Sequence, residues 1–164
     1  MKSEDIANKY PPKPVKSGYI PKYAKRSESK PFPKKTKRSF MDLEVYQKTI
    51  EGSVLIAKHI TPKLVKKKYH LVDDLMEHTF SIPVLIAEAD GLRFTDFSGS
   101  IEILEKAMQN CSKTATYLDQ AGRLYEHELD SKLVEDLMKR YIDVRRKIFN
   151  LGRAWKRFHT TASE

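Results

Sequence analysis

Side chains able to ligate a metal or move a proton are sparse in this chain. His70, Asp74, Glu77 and His78 fall in one short segment, and imidazole combined with carboxylate suits a divalent transition metal. A closed site needs ligands from a second element. The remaining histidines, His59, His127 and His159, are scattered, with no HExxH and no paired Glu-x-x-His spacing to supply them. No nucleophile elbow occurs, and the glycines are too dispersed to form a phosphate-cradling loop. The sequence is therefore read as that of a non-enzyme with no metal and no cofactor.

Cations are the abundant reactive groups, and they are unevenly distributed. Residues 1–38 hold twelve Lys and Arg, among them Lys34, Lys35, Lys37 and Arg38, against three acids, so the whole net charge of +9 lies there and the remainder is neutral. The same segment contains Pro11, Pro12, Pro14, Pro21, Pro31 and Pro33, interleaved with Tyr10, Tyr19, Tyr23 and Phe32. Such a composition buries too little apolar surface to offset its ordering entropy. Residues 1–39 are expected to be an extended basic tail that lies along phosphates, with its aromatic rings free to stack on bases.

The elements that must position these charges begin at Phe40. Leu43, Tyr46, Ile50, Val54, Ala57 and Ile60 recur at steps of three and four, which predicts a first helix from about Met41 to Ile60, stopped by Pro62. After the basic connector TPKLVKKKYH, a second helix carries Leu71, Leu75, His78, Ile82, Leu85, Ile86 and Ala89 and ends near Gly91. Pro83 sits inside it. Because the apolar stripe continues on both sides, the expectation is one helix bent near Ser81 rather than a strand.

Ser98 or Ser100 is the expected cap of a third helix with the stripe Ile101, Leu104, Met108, Cys111, Ala115, Leu118 and Gly122. A polar link at Tyr125 to Asp130 leads into a fourth, where Leu133, Leu137, Tyr141, Val144, Ile148, Leu151, Trp155 and Phe158 keep the spacing. With no β-alternation to compete, the predicted fold class is all-α, an antiparallel up-and-down four-helix bundle over residues 40–159, followed by a disordered end at 160–164.

On that frame Lys139, Arg140, Arg146, Lys147, Arg153, Lys156 and Arg157 share a face of the fourth helix opposite its apolar stripe. An up-and-down course brings the start of the first helix beside the end of the fourth, so Lys34, Lys35, Lys37 and Arg38 emerge next to Arg153, Lys156 and Arg157. Lys63, Lys66, Lys67 and Lys68 form a second cluster at the opposite end, near Glu126, Glu128 and Asp130, where self-neutralisation and a subunit contact stand equally beside nucleic acid. These fifteen residues are the candidate nucleic-acid contacts. RNA is the first expected ligand and DNA the second, with binding through phosphates and little sequence readout. The single Cys111 excludes an intrachain disulfide framework. The N-terminus lacks an apolar signal core and no stretch is long enough to cross a membrane, so a cytoplasmic protein is expected.

Three motifs resemble a known superfamily of four-helix bundles: ITPKLVKKKYHLVDDL before and into the second helix, SIPVLIAEADG at its end, and FNLGRAWKRF late in the fourth. The serine-isoleucine-proline is similar to the ribosomal RNA intervening-sequence proteins. The leucine-glycine pair followed by tryptophan is similar to the accessory variability determinant proteins of diversity-generating retroelements, toward which the resemblance leans. That branch implies a ring-like homopentamer that binds a reverse transcriptase and its template RNA and supports mutagenic cDNA synthesis without catalysing it. The other implies a bundle of nucleic-acid-binding or scaffold function. Arg153 and Ala154, between glycine and tryptophan, and the long basic tail depart from both patterns. Val45, Val72, Val134, Met138, Ile142 and Phe149 widen the apolar faces, to be buried either by a subunit contact or within a thicker single-bundle core.

Overall fold

The computed structural model describes residues 39–162. Among these the regular elements are all helical: a 3-10 turn at Phe40–Asp42, α1 at Glu44–Leu55, a π-helical stretch at Ile56–Ile60, α2 at Thr61–Lys66, α3 at Val72–Leu92, α4 at Phe97–Leu124 and α5 at Ser131–Ala162. α1, the π stretch and α2 follow one another without a gap, so four helical rods pack against one another.

Cross-helix contacts fix the directions. Glu51 meets Arg140 at 2.9 Å while Lys48 meets Asp143 at 3.3 Å, so α1 and α5 run antiparallel. Thr79 Oγ1 lies 3.2 Å from Thr114 Oγ1, and Asn110 Nδ2 donates to Ser81 Oγ at 2.7 Å, which sets α3 against α4 in the same sense. The core between the rods contains Ile56, Ile60, Leu64, Leu75, Ile82, Ile86, Leu118, Leu137, Tyr141 and Ile148, all buried.

The first rod corrects two expectations. Pro62 does not stop it. In the π stretch the Thr61 N–H reaches back to the Ile56 carbonyl, and Pro62 falls in the first turn of α2, the part of a helix that best tolerates proline. The helix instead ends at Lys66, with Lys67 as its C-cap, and Lys68 takes the left-handed conformation at φ 55°. Lys68 N–H then bonds the Val65 carbonyl and Tyr69 N–H the Leu64 carbonyl, both at 3.0 Å, a Schellman closure with buried Tyr69 beside buried Leu64.

The buried face of α1 is also rotated from the predicted stripe. Val45, Thr49, Gly52 and Ser53 face inward, and Ile50 and Val54 are exposed. Short polar residues serve here because their hydroxyls are satisfied within the helix. Thr49 donates to the Val45 carbonyl at 2.9 Å and Ser53 to the Ile50 carbonyl at 2.8 Å. Gly52 admits the Tyr141 ring: a Cβ there would stand 2.7 Å from Tyr141 Oη.

α3 is a single helix with Pro83 buried inside it, and it continues past Gly91 to Leu92. The cap of α4 is Asp96, whose Oδ1 accepts from Gly99 N–H at 3.0 Å, in place of either expected serine; Ser100 is buried and donates to the Phe97 carbonyl. Asp130 caps α5 through Lys132 and Leu133. No helix among the described residues is long and apolar enough to cross a membrane.

Candidate nucleic-acid interface

The basic face of α5 divides along its length. Its N-terminal part is neutralised by acids of the chain itself. Lys139 holds Glu135 at 2.6 Å, one turn away, and Arg140 reaches Glu51 at 2.9 Å and the Lys48 carbonyl at 3.3 Å. Arg146 holds Asp143 at 2.7 Å, and Lys147 bonds both Glu44 and Asp143, the latter at 3.4 Å. The Lys147 ammonium, with Lys48, holds the Glu44 carboxyl below its ordinary range, and Arg146 does the same to Asp143. Lys147 is in turn held above the usual lysine range by Glu44. Arg140 and Lys147 thus clamp α1 to α5, and a phosphate would have to compete with carboxylates already in place.

The C-terminal part is different. Arg153, Lys156 and Arg157 are exposed and form no ion pair with any described residue. Arg153 lies over the Phe149 ring at 5.9 Å, a contact that leaves its hydrogen-bond donors available. Ser39, the first described residue, lines a groove with Leu43, Leu151, Ala154, Trp155 and Phe158, so the described chain begins beside the last turns of α5. Lys34, Lys35, Lys37 and Arg38 lie outside the described residues. At the other end Lys67 pairs with Glu128 and depresses its carboxyl pKa, while Lys63, Lys66 and Lys68 are exposed.

Next to the free cations lies a feature the sequence did not single out. Arg93, Phe94, Thr95, Phe97, Trp155, Phe158, His159 and Ala162 line a groove of about 720 Å³. Phe158, expected in the core, is 76% exposed; α5 extends to Ala162, so its last turns run past the start of α1 at Glu44. Phe94 is 84% exposed in the α3–α4 turn. Phe97 and His159 stack at 4.1 Å between ring centres and form one wall. The Arg93 guanidinium lies 4.4 Å from the Phe94 ring centre and 5.3 Å from that of Trp155. A signal was present in GLRFTDFSG, where two phenylalanines and an arginine sit in a turn that cannot bury them all.

His78 stacks on Tyr117 at 5.9 Å, and no group of three or more His, Cys, Asp or Glu gathers among the described residues. Cys111 is fully buried, and desolvation pushes its thiol up to about 12. Among the residues expected to widen the apolar face, Val45 and Val134 are buried in the core, whereas Ile142 and Phe149 remain open on α5.

No family model, curated protein or solved structure matches the chain. The motifs behind the resemblance fall on α2 into α3, on α3 and on α5.

Proposed function

We propose that this chain is a non-enzymatic nucleic-acid-binding subunit, the accessory protein of a diversity-generating retroelement, which binds template RNA and the reverse transcriptase during cDNA synthesis. The observation that carries the nucleic-acid part is the division of α5. Four cations are engaged by acids of the chain, while Arg153, Lys156 and Arg157 stay free at the end where the described chain begins. The sequence that precedes Ser39 adds Lys34, Lys35, Lys37 and Arg38, and residues 1–38 contain all of the chain's net charge. Cations without protein partners gain most from phosphates, through counterion release.

The reverse-transcriptase partner, the homopentameric ring and a cytoplasmic setting rest on the sequence resemblance, and the open Ile142 and Phe149 are consistent with a contact between subunits. Repetition of the basic end around a ring would strengthen its field.

Fluorescence anisotropy of the full chain with a structured RNA, repeated across salt concentrations, tests the binding. Affinity should fall steeply with salt and drop when Lys34, Lys35, Lys37 and Arg38 become glutamine. Affinity indifferent to both refutes it. For the partner, a nuclease-treated pull-down should retain the reverse transcriptase; its loss would leave RNA as the only link between the two.

A further inference from the structure

We propose that the groove between the α3–α4 turn and the end of α5 is a stacking site for an unpaired base of a single-stranded nucleic acid. The inference rests on the nucleic-acid reading above and adds to it a contact made to bases rather than phosphates.

The lining supplies what a base needs and little else. Phe94 and Phe158 are largely exposed, Trp155 lies 6% exposed, and Phe97 with His159 forms a stacked wall. Every base has a π-face, so aromatic rings hold single strands with tolerance for sequence. The volume of about 720 Å³ lies within the range of roughly 300–1,000 Å³ usual for small-molecule sites. Arg93 stacks on two rings and pairs with Asp90 at 3.6 Å, so its guanidinium is held in place as part of the groove wall.

Charge selects the occupant. No acidic side chain lines the groove, and the neighbouring Arg153, Lys156 and Arg157 are free. A second copy presenting the same end would bring like charge, and so would the chain's own residues 1–38, with twelve bases against three acids. A polyanion carrying planar rings satisfies both the cations and the aromatic faces.

Trp155, the single tryptophan of the chain, provides the readout. In the full-length protein, oligouridylate should quench its fluorescence, and an abasic oligonucleotide of the same length should not. Phe94→Ala and Phe158→Ala should each weaken oligouridylate binding by roughly five- to a hundredfold, with the dependence on salt and the binding of a duplex unchanged. Both side chains are exposed, so the thermal midpoint should hold and report an intact fold. Equal binding and equal quenching by the abasic chain, or single-strand affinity insensitive to both substitutions, overturns the stacking site and leaves phosphate binding standing. Absence of salt-sensitive binding to any nucleic acid overturns the underlying reading as well. Trp155 emission that responds to dilution or to removal of residues 1–38, and not to oligonucleotide, assigns the groove to a second copy or to the chain's own N-terminal segment instead.

Discussion

If the free cations at the end of α5 are the phosphate contacts, two opposite charge changes should move salt dependence in opposite directions. Replacing Arg153, Lys156 and Arg157 with glutamine removes three cations that have no ion-pair partner among the described residues. At about 0.7 in log–log slope per neutralised phosphate of a single strand, three contacts amount to a slope about 2 less steep. Over a fourfold rise in salt, the native chain should then lose roughly fifteen- to twentyfold more affinity than the variant. The same operation on Lys139, Arg140, Arg146 and Lys147 should change the slope little, because these are held by Glu135, Glu51, Asp143 and Glu44. Asp143→Asn works the other way. It frees Arg146 and removes one partner of Lys147 and Lys48, so binding should tighten and the slope steepen by about 1. The assay is anisotropy of a labelled single strand between 50 and 200 mM salt at constant pH, conditions chosen to span a roughly 10³–10⁵-fold range for a strongly electrostatic binder. Equal slope losses from the two sets would show that in-chain pairing does not decide which cations meet phosphate, and would refute the reasoning.

Three further outcomes concern the fold that carries this surface. Gly52→Ala places a methyl 2.7 Å from Tyr141 Oη, and a net loss of about 1–3 kcal/mol in chemical denaturation is expected; Tyr141→Phe should recover part of it and, by removing a buried hydroxyl with no partner, cost little alone. Lys68→Gly relieves a left-handed lysine at φ 55° and should raise stability by about 1 kcal/mol, read from the denaturation midpoint at unchanged m-value. Glu44 and Asp143 have depressed carboxyl pKa values, so their contribution is complete above the ordinary carboxylate range near pH 4 and is lost as pH falls through the lower folded values. Both carboxylates are solvent-accessible and screened, so the thermal midpoint should decline only modestly below about pH 4, and Asp143→Asn should flatten that limb.

Helix count, helix order and the α4 and α5 stripes were legible because Leu104, Cys111, Leu118, Leu137, Tyr141, Val144 and Ile148 repeat at helical spacing, and all are buried. α1 was misread for a physical reason. Its inward face is built from Thr49, Gly52 and Ser53, whose value lies in close approach to Tyr141 and in bonds back to their own helix, and neither leaves a hydrophobic signature. Pro62 looked like a stop because a change from i+4 to i+5 bonding is invisible in residue type. The basic ridge was legible as a row of charges. Its pairing was not, since Glu51 and Glu44 approach Arg140 and Lys147 only once α1 and α5 lie side by side.

That register also accounts for where the free cations fall. Antiparallel packing sets Glu51 against Arg140, Lys48 against Asp143 and Glu44 against Lys147, each step toward the start of α1 matching a step toward the end of α5. Glu44 is the first residue of α1, whereas α5 continues to Ala162, so the acids of α1 are spent before Arg153 is reached. What stands beside Leu151 and Ala154 is Ser39 and Leu43, and the residues preceding Ser39 in the sequence are Arg38, Lys37, Lys35 and Lys34. Past Glu44 no turn of α1 lies alongside α5 to bury the Phe158 ring or to bring a carboxylate to Arg157, and α4 meets this end of α5 through Phe97, stacked on His159. Shortening α5 to end near Leu151 would therefore remove cationic and aromatic contacts together, whereas point substitutions separate them, so phosphate and base contributions are best divided by Arg157→Gln and Phe158→Ala in the intact helix.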